Sequence, residues 1–155
     1  MKTFQSPILL VGEASFAFAA ALSENIDNAV DKTLLLASCY QTEQEVYRLH
    51  AQSRQNVTSI ETRAPAHGVL FGVDATLLES CEEIVKYNPL TILFNLPHVG
   101  GKSDIKKNRL LMKEFFISCS KLPSFIRAGE SEVTEKGNCE CLVSTQILKI
   151  ELFII

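Results

Sequence analysis

The first regular element of the chain is encoded by the stretch Pro7-Ile8-Leu9-Leu10-Val11-Gly12-Glu13-Ala14-Ser15-Phe16. A short apolar run that stops at a glycine is typical of a parallel β-strand buried on both faces. Ser15 is placed to cap a helix that we expect over residues 16–23. The stretch therefore predicts a strand, a tight loop and a helix, which is the repeating unit of α/β proteins.

The same order of strand and then helix is repeated along the chain. Further buried strands are predicted over residues 33–38, 69–73 and 90–94. A capping box, Thr42-Glu43-Gln44-Glu45, starts a helix after the second strand, and helices are also predicted over 77–87 and 105–121. Four such units in succession predict an α/β fold with a doubly wound, mostly parallel sheet.

The strand-and-helix pattern ends near residue 122. We expect residues 1–122 to form one domain, with residues 123–155 as an atypical tail and the sheet incomplete on its C-terminal side. The apolar segment 142–155 either adds one strand to the sheet or lies as an exposed, aggregation-prone edge. The early end of the pattern suggests a truncated or alternatively ended chain.

The composition narrows the class of protein. The 155 residues are 46% apolar and carry a net charge of −3, which excludes a strongly basic surface that coats nucleic acid. Of the five cysteines only Cys139 and Cys141 are close, and C-x-C alone lacks zinc-site spacing, so we expect free thiols and no metal. Glu13 interrupts the N-terminal apolar segment, which argues against a signal peptide. We therefore expect a soluble, intracellular protein with no membrane contact.

The loop after the fourth predicted strand carries the clearest signal for a binding site. It reads Phe94-Asn95-Leu96-Pro97-His98-Val99-Gly100-Gly101-Lys102. Asparagine offers a donor and an acceptor side by side, which suits the edge of a flat heterocycle, and open α/β sheets bind ligands at the carboxyl ends of their strands. The residues alone leave a second interpretation open, a proline-stiffened turn with a surface histidine.

Four stretches of this chain resemble the ribosomal RNA uridine-N3 methyltransferase family. The same domain opens the ferredoxin-fold anticodon-binding domain-containing proteins. The first stretch, Ile8 onwards, resembles the family's LLVGEGNFSF, and the last resembles its FNFPHVGGK. The stretches are residues 8–18, residues 37–45, Phe71-Gly72-Val73-Asp74-Ala75-Thr76, and residues 94–102 with Asn108-Arg109 and Phe115-Phe116 downstream.

The resemblance implies a Rossmann-like fold, S-adenosyl-L-methionine as cofactor, and methyl transfer to N3 of a uridine in large-subunit ribosomal RNA. It implies that ribosomal RNA or a pre-ribosome is the partner, in the cytoplasm or the nucleolus. By the same resemblance, the cofactor-binding residues are Gly12, Glu13, Ser15 and Asp74. The catalytic residues are Asn95, Pro97 and His98.

Methylation at N3 requires loss of the imide proton. Asn95 is suited to hold the imide edge, and His98 titrates in the range needed to take the proton. Phe94 is a candidate stacking surface beneath the base. The cationic residues Lys102, Lys106, Arg109 and Lys113 are candidate contacts to the RNA backbone, with a solvated helix face as the other interpretation.

Two positions depart from the family pattern. Ala14 stands where the family has glycine, and Gln41 stands where it has an aspartate that would accept bonds from the ribose. Asp74 has a second interpretation as a helix cap. Glu43 and Glu45 lie close to Gln41 in the sequence, but helix capping is their favoured role. Whether the chain is an enzyme therefore stays open. The alternative is a non-catalytic or truncated isoform that binds cofactor or RNA. A dehydrogenase is disfavoured because no G-x-G-x-x-G follows the first strand.

Overall fold

The fold was analysed in a computed structural model, which describes residues 5–27, 33–63, 65–95, 97, 99, 104–126, 138–143 and 146–153, the last two segments as backbone only. The strands are β1 (Ile8–Val11), β2 (Leu35–Ser38), β3 (His67–Leu70), β4 (Thr91–Asn95), β5 (Asn138–Val143) and β6 (Gln146–Phe153). The helices are α1 (Ala17–Asp27), α2 (Glu43–Leu49), α3 (Ser53–Glu61), α4 (Glu82–Tyr87), α5 (Ile105–Ser120) and α6 (Pro123–Ile126), with a 3-10 helix at Ala75–Ser80.

The sheet has the strand order β3-β2-β1-β4-β6-β5. Strands β1 to β4 pair in parallel, with Ile8 beside Leu35 on one side and beside Thr91 on the other. The four predicted strands therefore lie in one parallel sheet, as the sequence predicts. The α/β, doubly wound, mostly parallel fold is confirmed.

The C-terminal residues extend the same sheet. Strand β6 lies parallel to β4, with Thr91 beside Lys149, and β5 pairs with β6 in an antiparallel hairpin. Residues 142–155, which we expected to add one strand or to lie exposed at an edge, contain the whole of β6 and the end of β5. Strand β5 occupies the outer position, so both edges of β6 are paired.

Helices cover both faces of the central strands, because alternate side chains of a strand point to opposite faces. One face packs against the 3-10 helix, α4 and α5, and its buried residues include Leu9, Val11, Ile92, Phe94, Leu78, Ile84 and Phe115. The other face packs against α1, α2 and α3, and its buried residues include Ile8, Leu10, Leu35, Ala37, Phe16, Val46 and Ile60. The whole of β1 is buried, as its apolar run predicts.

Strand β3 and the helix after it differ from the prediction. The strand ends at Leu70 rather than at residue 73, because Gly72 turns the chain with a φ of +71° and its N–H donates to the Gln41 carbonyl at 3.0 Å. The helix predicted over residues 77–87 is two helices, which Cys81 separates with extended backbone angles. In both places a local turn ends a strand or a helix earlier than its apolar sequence pattern predicts.

Helix caps account for the starts of α2 and α5. The capping box is confirmed, since the Thr42 side chain accepts from the Glu45 N–H and the Glu45 carboxylate accepts from the Thr42 N–H. Asp104 caps α5 by accepting from the N–H groups of Lys106 and Lys107. Ile105, the first residue of α5, is 66% exposed because the first turn of the helix extends beyond the core.

Among the described residues, no helix combines the length and the apolar character that crossing a bilayer requires.

Candidate functional site

The candidate site lies at the carboxyl ends of β1, β3 and β4, which meet at one edge of the sheet. Strands β1 and β4 are neighbours, with Val11 beside Phe94, so the loop after β1 begins next to Asn95. The helices that follow β1 and β2 cover one face, and those that follow β3 and β4 cover the other. Strand order therefore reverses between β1 and β4, which is where open α/β sheets bind ligands.

Gly12 and Phe94 share the base of this crevice. Gly12 has a φ of +74°, and a Cβ built on it would lie 2.4 Å from Cε2 of Phe94. The Phe94 ring is 6% exposed and meets the ring of Phe115 edge-on, with 4.9 Å between centroids. Glycine is required here by both backbone and packing. The Phe94 ring fills the core beneath Gly12, and this burial does not favour a stacking role for the ring.

Glu13 is buried in the loop, with 7% of its surface exposed. Its Oε2 accepts from the N–H of Ala19 at 3.2 Å, and the Asn95 side chain also hydrogen-bonds to the carboxyl group. Burial raises the pKa of Glu13, and the two hydrogen bonds partly offset that rise. Glu13 thus ties the end of β4 to the first turn of α1. It makes the capping contact that we expected from Ser15, and α1 begins at Ala17.

Phe16 is the second residue of this loop with a left-handed backbone, with a φ of +59°. Its side chain is fully buried and packs edge-on against Phe71, with 5.4 Å between ring centroids. Asn56 of α3 donates from Nδ2 to the Ser15 carbonyl at 2.9 Å. No sequence signal indicated either feature, because φ > 0 is rare for a bulky residue and Asn56 lies 41 residues from Ser15.

The backbone N–H groups of Ala14, Ser15 and Phe16 have no hydrogen-bond acceptor among the described residues. Ala14 is exposed and does not have a positive φ, so an alanine fits this position without backbone strain. The two positive values fall instead on Gly12 and Phe16. The replacement of the family's glycine by Ala14 is therefore compatible with the loop.

Asp74 caps the 3-10 helix and lies at the same edge, after β3. Its Oδ1 accepts from the Thr76 N–H at 2.8 Å and from the Thr76 hydroxyl at 2.7 Å. Its Oδ2 has no hydrogen-bond partner in the part of the chain that the structure describes. The cap interpretation and a ligand contact thus use different oxygens of one carboxylate.

The loop after β4 is described in part. Asn95 and Pro97 are both half-buried, while His98 and Lys102 lie outside the described residues. The Val99 N–H donates to Oδ1 of Asn108 at 3.1 Å, which ties the loop to the second turn of α5. Asn108 belongs to a stretch that resembles the family, and no local sequence pattern indicates its contact with the loop.

The remaining predicted site residues lie on α5. Lys106, Arg109 and Lys113 are all exposed. Lys106 lies in the first turn of the helix, which follows the Asn95 loop. Because the three side chains are exposed, they are compatible both with a contact to the RNA backbone and with a solvated helix face.

Cys39 and Cys119 do not offer a nucleophile. Cys39 follows β2 close to Glu13, and burial raises the pKa of its thiol to about 11. Cys119 is buried in the core, where burial raises its pKa well above the usual value. Both thiols therefore stay protonated near neutral pH. Within the described residues, no cluster of His, Cys, Asp and Glu could hold a metal ion.

Comparison with known proteins gives one family. Residues 9–147 match the family described as rRNA (uridine-N3-)-methyltransferase BTM5-like. The match extends beyond Phe116, the last residue of the stretches that resemble the family, and into the segment that we expected to be an atypical tail. The chain is 39% identical over 126 residues to human ferredoxin-fold anticodon-binding domain-containing protein 1, and 35% identical over 131 residues to the mouse homolog.

The aligned parts cover 81% and 82% of this chain, but 19% of each relative, so the chain spans about a fifth of the curated relatives it matches. No solved structure matches it. The family match covers most of the chain, the sheet has the predicted order, and both signature loops lie at one edge. This chain belongs to the BMT5-like rRNA (uridine-N3-)-methyltransferase family.

Proposed function

We propose that this chain is an S-adenosyl-L-methionine-dependent methyltransferase domain that methylates N3 of a uridine in ribosomal RNA. The observation that carries the proposal is the meeting of the Gly12–Phe16 loop with Asn95 at the point where strand order reverses. We propose that the domain acts on ribosomal RNA or a pre-ribosome, in the cytoplasm or the nucleolus.

The residues at this edge suit the proposed cofactor. S-adenosyl-L-methionine supplies an electrophilic methyl group when bound. The N–H groups of Ala14, Ser15 and Phe16, for which the described residues supply no acceptor, attract a carboxylate, such as that of a methionine moiety. Gly12 lets this backbone be approached without a Cβ in the way, and Glu13 supplies a carboxyl group for an ammonium. Oδ2 of Asp74 is an acceptor for the amino group of an adenine.

The loop after β4 is the proposed site for the base. Asn95 orients the imide edge of the uracil ring, and Pro97 stiffens the loop behind it. His98 accepts the N3 proton, since an imidazole titrates near neutral pH. Lys102, Lys106, Arg109 and Lys113 contact the phosphates that flank the target uridine. Phe94 has no stacking role in this proposal, because its ring is buried under Gly12.

A second candidate function is a binding module without turnover. The observation that favours it is Gln41, which stands where the family has an acid for the ribose hydroxyls. The Gln41 carbonyl accepts from the Gly72 N–H and from the Cys39 thiol, so its backbone is fixed at the site edge with a neutral side chain. A neutral acceptor makes a weaker bond to a hydroxyl than a carboxylate does.

Calorimetric titration of the purified chain tests the cofactor proposal. We expect micromolar binding of S-adenosylmethionine and S-adenosylhomocysteine, and none of NAD. Asp74→Asn keeps Oδ1 for the cap and replaces Oδ2 by a donor, so it should weaken binding about tenfold. Asp104→Asn is the matched control, because it removes the same charge from another helix cap. A folded chain that binds neither ligand would contradict the proposal.

Incubation with ribosomal RNA and labelled S-adenosylmethionine separates the two candidate functions. A methyltransferase should yield 3-methyluridine on digestion of the RNA. Asn95→Ala and His98→Ala should both abolish that product, and in His98→Ala cofactor binding should persist. Cofactor binding without any methylated uridine would favour the binding module instead.

A further inference from the structure

We propose that Asn56 is a positioning residue for the Gly12–Phe16 loop and holds it in the conformation that binds the cofactor. The inference rests on the proposed function, since it assigns the loop to S-adenosyl-L-methionine. Asn56 lies on α3, outside every stretch that resembles the family signature.

The contact itself joins two distant parts of the chain. Nδ2 of Asn56 donates to the Ser15 carbonyl at 2.9 Å across 41 residues of sequence, in a partly buried position. The nitrogen of an amide side chain is only a donor and a carbonyl is only an acceptor, so the pair has one possible polarity. Helix α3 therefore holds the peptide between Ser15 and Phe16 through its oxygen.

The loop needs such a contact because Phe16 has a left-handed backbone. A φ of +59° is unfavourable for a bulky residue and persists only where its surroundings enforce it. Burial of the ring against Phe71 holds the side chain. It does not set the plane of the preceding peptide, which can rotate while the ring stays in place. The Asn56 bond supplies that missing constraint.

Holding the Ser15 oxygen also directs a donor. In a trans peptide the C=O and N–H groups point in opposite directions, so an oxygen held against α3 turns the Phe16 N–H away from α3. That N–H has no acceptor among the described residues, and neither have those of Ala14 and Ser15. Without Asn56 the peptide can rotate to relieve the strain, and the Phe16 N–H is then no longer preset for a ligand.

The test compares Asn56→Ala with Asn25→Ala. Asn25 is the matched control, because its Nδ2 makes the same kind of bond, to the Ala21 carbonyl at 2.8 Å, within α1. Two measurements are made on each intact chain. They are the Kd of S-adenosylhomocysteine by calorimetry and, without ligand, amide hydrogen exchange at Glu13 and Ala19, whose N–H groups are hydrogen-bonded within or beside the loop. We expect Asn56→Ala to raise Kd about tenfold and to speed exchange in the loop, with both values unchanged in Asn25→Ala.

Asn56→Asp is a second variant of the same shape, in case the alanine variant fails to fold. A carboxylate cannot donate to the Ser15 carbonyl, so this variant should reproduce the rise in Kd at neutral pH. An unchanged Kd in both Asn56 variants would overturn the inference while leaving the proposed function intact. An equal rise in Asn25→Ala would also overturn it, because the cause would be general destabilisation. If the unmodified chain binds no S-adenosylhomocysteine, the proposed function fails as well.

Discussion

Substitution of Gly12 by alanine tests how the base of the crevice is built. The new Cβ would lie 2.4, 3.0 and 3.3 Å from three carbon atoms of the Phe94 ring. That ring cannot withdraw freely, because it is 6% exposed and packs against the fully buried Phe115. Two costs therefore coincide at one residue: the left-handed backbone, at a φ of +74°, and the collision with Phe94.

The magnitude follows from these two costs. A left-handed conformation costs a residue with a Cβ about 1–2 kcal/mol. Forcing an extra carbon into a packed core costs about 1–3 kcal/mol more. Gly72→Ala isolates the first cost, since Gly72 has a φ of +71° and nothing within 4 Å of its added Cβ. We expect Gly12→Ala to lose about 1–3 kcal/mol more of the free energy of unfolding than Gly72→Ala.

The assay is urea unfolding followed by far-UV circular dichroism at fixed pH. The loss of unfolded-chain freedom on replacing glycine is common to both variants, so it cancels in the comparison. Gly12→Ala combined with Phe94→Leu should lose less than the sum of the single losses, because the smaller side chain vacates part of the contact. Equal destabilisation by Gly12→Ala and Gly72→Ala would refute the packing of Phe94 beneath Gly12.

Three further predictions concern the pH dependence of stability, the core and the proposed RNA-binding surface. Burial raises the pKa of Glu13 above its ordinary value of 4.5, so the folded chain holds this proton more tightly than the unfolded chain does. The free energy of unfolding should therefore fall as the pH rises from 4.5 through the pKa of the folded state. Glu13→Gln should reduce that fall in urea titrations at several pH values. Ser118→Ala should lower the free energy of unfolding by about 1–3 kcal/mol in the same assay. The reason is that the buried Ser118 hydroxyl accepts from the Leu78 N–H at 2.7 Å and donates to Glu79 at 2.6 Å. Ser120→Ala, on the exposed side of α5, should stay within about 0.5 kcal/mol of the parent chain. Replacing Lys106, Arg109 and Lys113 by glutamine should lower the slope of log K against log[salt] for single-stranded RNA binding by about 2, as measured by fluorescence anisotropy. Lys86→Gln on α4 should leave the slope unchanged. An unaltered slope in the triple variant would make the three cations a solvated helix face.

Most of the architecture was predictable from local patterns. The run that became β1 is continuously apolar, and that of β4 is apolar over Ile92 to Phe94, because both faces of these strands are covered by helices. The capping box at Thr42 marked the start of α2 because it satisfies the first N–H groups of a helix locally. Strand β3 was placed with an error at both ends, since the turn at Gly72 depends on a hydrogen bond to Gln41 from another strand's loop.

The candidate site was predictable only in outline. Two loops could be assigned to the carboxyl ends of strands, because parallel strands place those ends at one edge. The enclosure of Phe94 could not be foreseen, since an aromatic residue at the end of a strand can face a ligand or the core. The contacts of Asn56 with Ser15 and of Asn108 with Val99 join residues with no shared local pattern.

By itself, the sequence of this protein determined the four parallel strand-and-helix units, the covered faces of β1 and β4, and membership of one methyltransferase-like family. These features follow from periodicity, helix caps and signature loops, which are local properties of a chain. Tertiary structure alone decided that Phe94 lies under Gly12, that Glu13 joins Asn95 to α1, and that Phe16 has a left-handed backbone. Each of these features depends on contacts between residues of different strands and helices, and local sequence patterns do not specify such contacts.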